Sequence, residues 1–89
     1  MRAVITVLGK DMVGILANVS HVCAEHKINV LEVTQSILQD MFAMIMMVDI
    51  QGSDVPFTVF ADEMKELGEK LGLSIHTMHE DVFNTMHHV

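Results

Sequence analysis

Residues 9–16 read Gly-Lys-Asp-Met-Val-Gly-Ile-Leu (GKDMVGIL), and the change of periodicity across them decides the fold. Before them, residues 2–8 (RAVITVL) are apolar and β-branched and stop at Gly9, which is strand chemistry. After them, Ile15, Val19, Val22, Cys23 and His26 share one helical face, with Asn18, His21 and Glu25 on the other. An amphipathic helix is therefore predicted from Ile15 to near Lys27. The two glycines, lysine and aspartate between these patterns are loop residues.

Outward from the helix, residues 28–38 return to strand character, with Asn29, Leu31, Val33, Gln35 and Ile37 alternating against Ile28, Val30, Glu32, Thr34 and Ser36. Gln39 and Asp40 form a short polar break suited to a hairpin, without the Asn-Gly signature. Residues 41–50 are a third strand that is apolar on both faces: Phe42, Met44, Met46 and Val48 on one, Ala43, Ile45 and Met47 on the other. Pro56 fits the first turn of a second helix with Asp54 or Val55 near its cap. Phe60, Met64, Leu67 and Leu71 should face the core, and Asp62, Glu63, Glu66, Glu69 and Lys70 water. Gly72 stands where a helix stops in a left-handed cap. Residues 73–79 are a fourth strand, and Val82, Phe83 and Met86 suit one or two helical turns in the tail, residues 80–89.

Strand–helix–strand–strand–helix–strand closes most simply as an α+β ferredoxin-like βαββαβ sandwich, a four-stranded antiparallel sheet with two helices on one face. One domain is expected over residues 1–89, its core at 2–79. The third strand should be central, so Ala43, Ile45 and Met47 need cover from the tail or from another subunit. A homodimer or larger assembly is the expectation, reinforced by a second strand whose one charged guard is Glu32.

Composition removes several classes. Hydrophobic residues make up 51% of the chain and charged ones 19%, which excludes a disordered tail. The lone cysteine excludes an intrachain disulfide framework. No apolar run approaches the roughly 20 residues of a membrane span, and no signal peptide is visible, so a cytoplasmic protein without a membrane role is expected. Five Lys and Arg against twelve Asp and Glu give a net charge of −7, which opposes nucleic-acid binding.

The chemistry lies in the loop. A helix N-terminus offers free N–H groups and partial positive charge, and glycine lets a carboxylate or phosphate approach the backbone. The residues are neither a P-loop nor a dinucleotide fingerprint. A plain alternative stays open, a tight connection with Asp11 helping to cap the helix. The six histidines include no metal-ligand spacing of known type. His76 and His79 should point to opposite faces, and only a folded-back tail would join His79, Glu80 and Asp81 to His87 or His88. His21 is read as a surface residue, His26 as half-buried, Cys23 as an inert buried thiol and the nine methionines mainly as core.

Strand–GKDMVGIL–helix, followed by INVLEVTQSIL and MFAMIMMVDI, resembles the ACT domain family. The likeness covers about residues 2–79, and the tail HEDVFNTMHHV is similar to that of short, free-standing ACT-domain proteins of bacteria and archaea. The resemblance implies dimerisation through sheet edges and an amino acid or similar metabolite bound at the dimer interface. The ligand-binding residues would then be Gly9, Lys10, Asp11, Met12, Val13, Gly14, Ile15 and Leu16. Many amino-acid-sensing members have Pro before the second loop glycine, where this chain has Val13.

No catalysis is expected. Acylphosphatase shares the plan but uses an Arg in this loop, whereas the only Arg here is Arg2. No cofactor and no metal are expected. The expected function is a non-catalytic regulatory module that senses an amino acid or related carboxylate at a dimer interface and acts on a partner protein. The alternative is an oligomeric protein-interaction module without a ligand and, behind it, metal binding through the His-rich tail. Replacing Gly14 by Leu is expected to block the ligand with a nearly normal melt, provided Gly14 needs no positive φ.

Overall fold

In a computed structural model the chain forms β1 (Arg2–Gly9), α1 (Ile15–Glu25), β2 (Asn29–Leu38), β3 (Met41–Asp49), α2 (Phe57–Leu71), β4 (Ser74–His79) and α3 (Glu80–Met86). The structure describes residues 1–10 and 14–86, the side chain of Leu38 excepted. The sheet order is β2-β3-β1-β4, antiparallel throughout, with β3 central as expected. Ala3, Ile5 and Val7 of β1 join Phe42, Met44, Met46 and Val48 of β3 in one buried cluster with residues of α1 and α2. Both helices therefore lie on the same face, and the ferredoxin-like plan holds. Each fully buried aliphatic side chain in that layer contributes about 1.5–3 kcal/mol from removal of apolar surface from water.

The opposite face is covered in part by the chain itself. Val4 points away from the helix-side cluster yet has 0% exposure, and α3 packs on β1 and β4. Arg2 anchors α3 through an ion pair with Glu80, and the Asp81 N–H donates to His79 Nδ1 at 3.1 Å. Beyond α3, Ile45 is 38% and Leu8 45% exposed on this face.

Helix α1 ends at Glu25 with His26 as its cap, close to the expected end near Lys27. Three local expectations need correction. Pro56 is itself the N-cap of α2, with ψ 155°, and helical geometry begins only at Phe57. Leu71 is exposed, and Gly68 of the same last turn takes the buried position, close against Leu73 and Ile75. In β2 the register jumps between Val30 and Glu32, so the simple alternation of faces breaks at Leu31. This bulge places Val30 and Val33 on the same side, opposite Val48 and Met46. Gly72 does adopt the left-handed cap, with φ 73°.

One polar tie joins the two helices. His26 Nδ1 lies 2.9 Å from Asp54 Oδ1, in the loop before α2, and His26 Nε2 lies 2.8 Å from Glu63 Oε1 on α2. The Phe60 ring meets the imidazole edge-on, with centroids 6.4 Å apart. Glu63 thus faces the first helix as well as water. The His26 side chain is only 17% exposed, and its pKa is raised above the usual histidine value, first by the bond to Asp54 and then by that to Glu63, against the opposing effect of burial. Only the imidazolium donates from both nitrogens at once.

Two expectations follow from this packing. A Cβ on Gly68 would stand 2.9 Å from the Leu73 carbonyl oxygen and 3.0 Å from Ile75 Cγ1. Gly68→Val should therefore cost about 1–3 kcal/mol in urea unfolding, and an unchanged midpoint would show that β4 is free to move away. For His26, a raised folded pKa means stability fully present below the unfolded value of about 6.5 and lost as pH rises through the folded one. The stability of wild type over His26→Gln should shrink in melts run from about pH 6 to about pH 9. A difference that stays level or grows with pH would break the assignment of the imidazolium to this tie.

Candidate functional site

The loop between β1 and α1 begins at the end of a central strand and ends on Gly14, whose φ of 73° and ψ of 2° are left-handed. That conformation suits glycine and strains a leucine. Gly14→Leu is thus no neutral obstruction: it carries a backbone penalty of its own, and a Cβ would also come 3.3 Å from Asn18 Nδ2. Asn18 is tied to this corner, its backbone N–H and its side-chain Nδ2 both donating to the Gly14 carbonyl, at 2.9 and 2.7 Å.

Gly14 has no side chain with which to cap α1, and no acidic residue stands in the first helical turn. Among the described residues the opening N–H groups are therefore left to water or a ligand, at the positive end of the helix dipole. A cavity of about 550 Å³ opens beside them, lined by Gly14, Leu16, Ala17, Ser20, Gln35 and Phe42. Val33 packs against the core cluster, whereas Gln35 and Ile37, further along β2, are exposed. Ser20 Oγ donates to the Leu16 carbonyl at 2.7 Å, which leaves its lone pairs as acceptors.

Of the eight residues marked by the sequence, the five that the structure describes divide between two places. Gly14 and Leu16 line this cavity, while Gly9 and Lys10 line a second one between β1 and the α2–β4 turn. Ile15 is 2% exposed with its side chain in the core, so only its backbone is available to a ligand. Asp11, Met12 and Val13 lie outside the described residues. Sequence reasoning missed Ser20 and Gln35, which sit on separate elements, one on the polar side of a helix and one near the end of an edge strand. It also missed the partners of His26.

The other chemical candidates are occupied. Cys23 is fully buried, and burial pushes its thiol up to about 11, against a smaller opposing backbone hydrogen bond, so it is no nucleophile at neutral pH. His79 accepts the Asp81 N–H and Glu80 holds Arg2, which engages two members of the tail set considered for metal. His87 and His88 lie outside the described residues. Among the described residues no group of three or more His, Cys, Asp or Glu is arranged to hold a metal ion. No described helix is long and apolar enough to cross a membrane.

The chain resembles known proteins along its whole length. A UPF0237 protein of Clostridium acetobutylicum is 49% identical over 89 residues, covering 100% of both chains. One from Methanopyrus kandleri is 44% identical over 88 residues, covering 99% of this chain and 98% of the other. The structure of an ACT domain protein from Streptococcus pneumoniae superposes with a TM-score of 0.82 at 34% identity, covering 93% of each chain. The regulatory subunit of aspartate kinase from Thermus thermophilus shares the fold at 21% identity and TM-score 0.63, over 85% of this chain and 49% of that one. Residues 2–78 match the ACT domain family itself, so the chain belongs to the ACT domain family.

Proposed function

We propose that this protein is a non-catalytic regulatory module whose homodimer binds an amino acid or related small carboxylate beside the β1–α1 loop and thereby alters a partner protein. The observation that carries the reading is the start of α1: a left-handed glycine, no side-chain cap among the described residues, and a cavity at the free N–H groups. A carboxylate held there receives charge-assisted hydrogen bonds, which are stronger than neutral ones. Gln35 and Ser20 add polar contacts, and Asp11 is the natural acceptor for an α-ammonium. The same plan serves as a regulatory subunit in the Thermus aspartate kinase, which makes that role available to the fold without assigning it. A single buried thiol fits a reducing cytoplasm.

A thermal-shift screen of amino acids and their non-amino counterparts tests the reading. A true ligand at a hundred times its dissociation constant adds about 2.7 kcal/mol. Ala17→Leu fills the cavity from an exposed helical position and avoids the strain of a change at Gly14. It should abolish amino-acid binding and leave the melt of the free protein close to normal. Asp11→Asn should weaken amino acids and spare simple acids. Full affinity in Ala17→Leu would place the site elsewhere, and a screen in which nothing stabilises would favour a pure interaction module.

The exposed Ile45 and Leu8, beyond the reach of α3, favour a second subunit on or beside the sheet. Light scattering at micromolar concentration should give a multiple of 9.9 kDa. A monomer would remove the interface from the proposal.

A further inference from the structure

We propose that the cavity between the end of β1 and the α2–β4 turn is a second small-molecule site, selective for carboxylates with an apolar body and no ammonium group. It holds about 480 Å³, within the range of small-ligand sites, and its walls are Leu8, Met41, Leu71 and Leu73, with Lys10 and Ser74 as the polar points. Gly72 in its left-handed cap turns the chain so that Leu73 lies against Gly9, where a Cβ would collide with the leucine side chain. The floor is therefore set by backbone geometry. Leu8 and Ser74 are paired across β1 and β4, and Met41 opens β3, so three strands and a turn meet at this corner.

Charge selects the ligand. The chain has twelve Asp and Glu, yet among the described residues none lines this cavity, and Lys10 is the charged group on its wall. Ser74 Oγ lies 3.2 Å from His76 Nε2. With the proton on Nε2, His76 donates to Ser74, whose own O–H is then left to donate to an anion beside Lys10. An amino acid gains nothing extra here: its ammonium meets a lysine and, among the described lining residues, no carboxylate. The site thus differs from the one proposed at α1, and neither depends on the other.

The test is a heteronuclear NMR titration of the full chain with butyrate, hexanoate, hexanol and hexylammonium at matched ionic strength. Hexanoate should give saturable shifts at the amides of Leu8, Lys10, Leu73 and Ser74. Each buried methylene strengthens binding by about fourfold, so hexanoate should exceed butyrate by about an order of magnitude. Hexanol should bind more weakly and hexylammonium not at all. Lys10→Glu should weaken hexanoate about tenfold or more, since it replaces attraction by repulsion at the wall, and Ala17→Leu should leave it unchanged. The proposal falls if hexanol matches hexanoate, if the shifts gather at residues 14–20 and vanish in Ala17→Leu, or if the corner amides respond to protein concentration and not to hexanoate.

Discussion

A four-stranded sheet has two faces, and this chain places both long helices on one of them. Everything else answers that asymmetry. The helix side is closed by Phe60 and Met64 from α2 and by Val19 and Cys23 from α1, packed on the inward residues of β1 and β3. Among the described residues the other side receives only α3, packed on β1 and β4, and Ile45 and Leu8 stay in solvent. In so small a domain, burying somewhat over roughly 60% of its unfolded surface, apolar area left open is costly. A short tail helix and an assembly partner are two ways of meeting the same demand.

The position of the loop follows from the same plan. Because β1 is central, its end emerges between two surfaces: α1 with β2 on the helix side, and the α2–β4 turn at the other flank. The glycines at its two ends then do different jobs. Gly14 starts a helix without a side-chain cap, and Gly9 lets Leu73 close against the strand. One stretch of eight residues therefore borders two cavities that differ in what they can accept.

The element order, the central third strand, the Gly72 cap and the core face of α1 were all legible, because each rests on periodicity or on a glycine at an element end. The second strand was legible in extent but not in detail. Its bulge at Leu31 depends on register against β3, which no local pattern encodes. Leu71 continued the apolar spacing of α2 but is exposed, while Gly68 of the same turn sits against Ile75 of β4, so the helical period was right and the residue that meets the sheet was not. The tie from His26 to Asp54 and Glu63 joins residues 28 and 37 positions apart, beyond any spacing argument. The loop itself was visible as chemistry, but its division between two cavities was not, since Ser20, Gln35, Leu73 and Ser74 reach it only through the fold.

A net charge of −7 looks hostile to anionic ligands, and at long range it is. That repulsion is screened over about 8 Å at physiological ionic strength, so it acts mainly on approach and hardly on a group already seated. What a bound carboxylate meets is local: the free N–H groups of α1 in one cavity, Lys10 and Ser74 in the other. Among the described residues the acidic side chains are concentrated elsewhere, on the outer side of α2 and in the tie to His26. Added salt should therefore affect the two stages of binding in opposite directions, easing encounter with a negatively charged protein while weakening the contact with Lys10. The helix N-terminus, whose donors are fixed backbone groups rather than a solvated lysine, should lose less in the second stage.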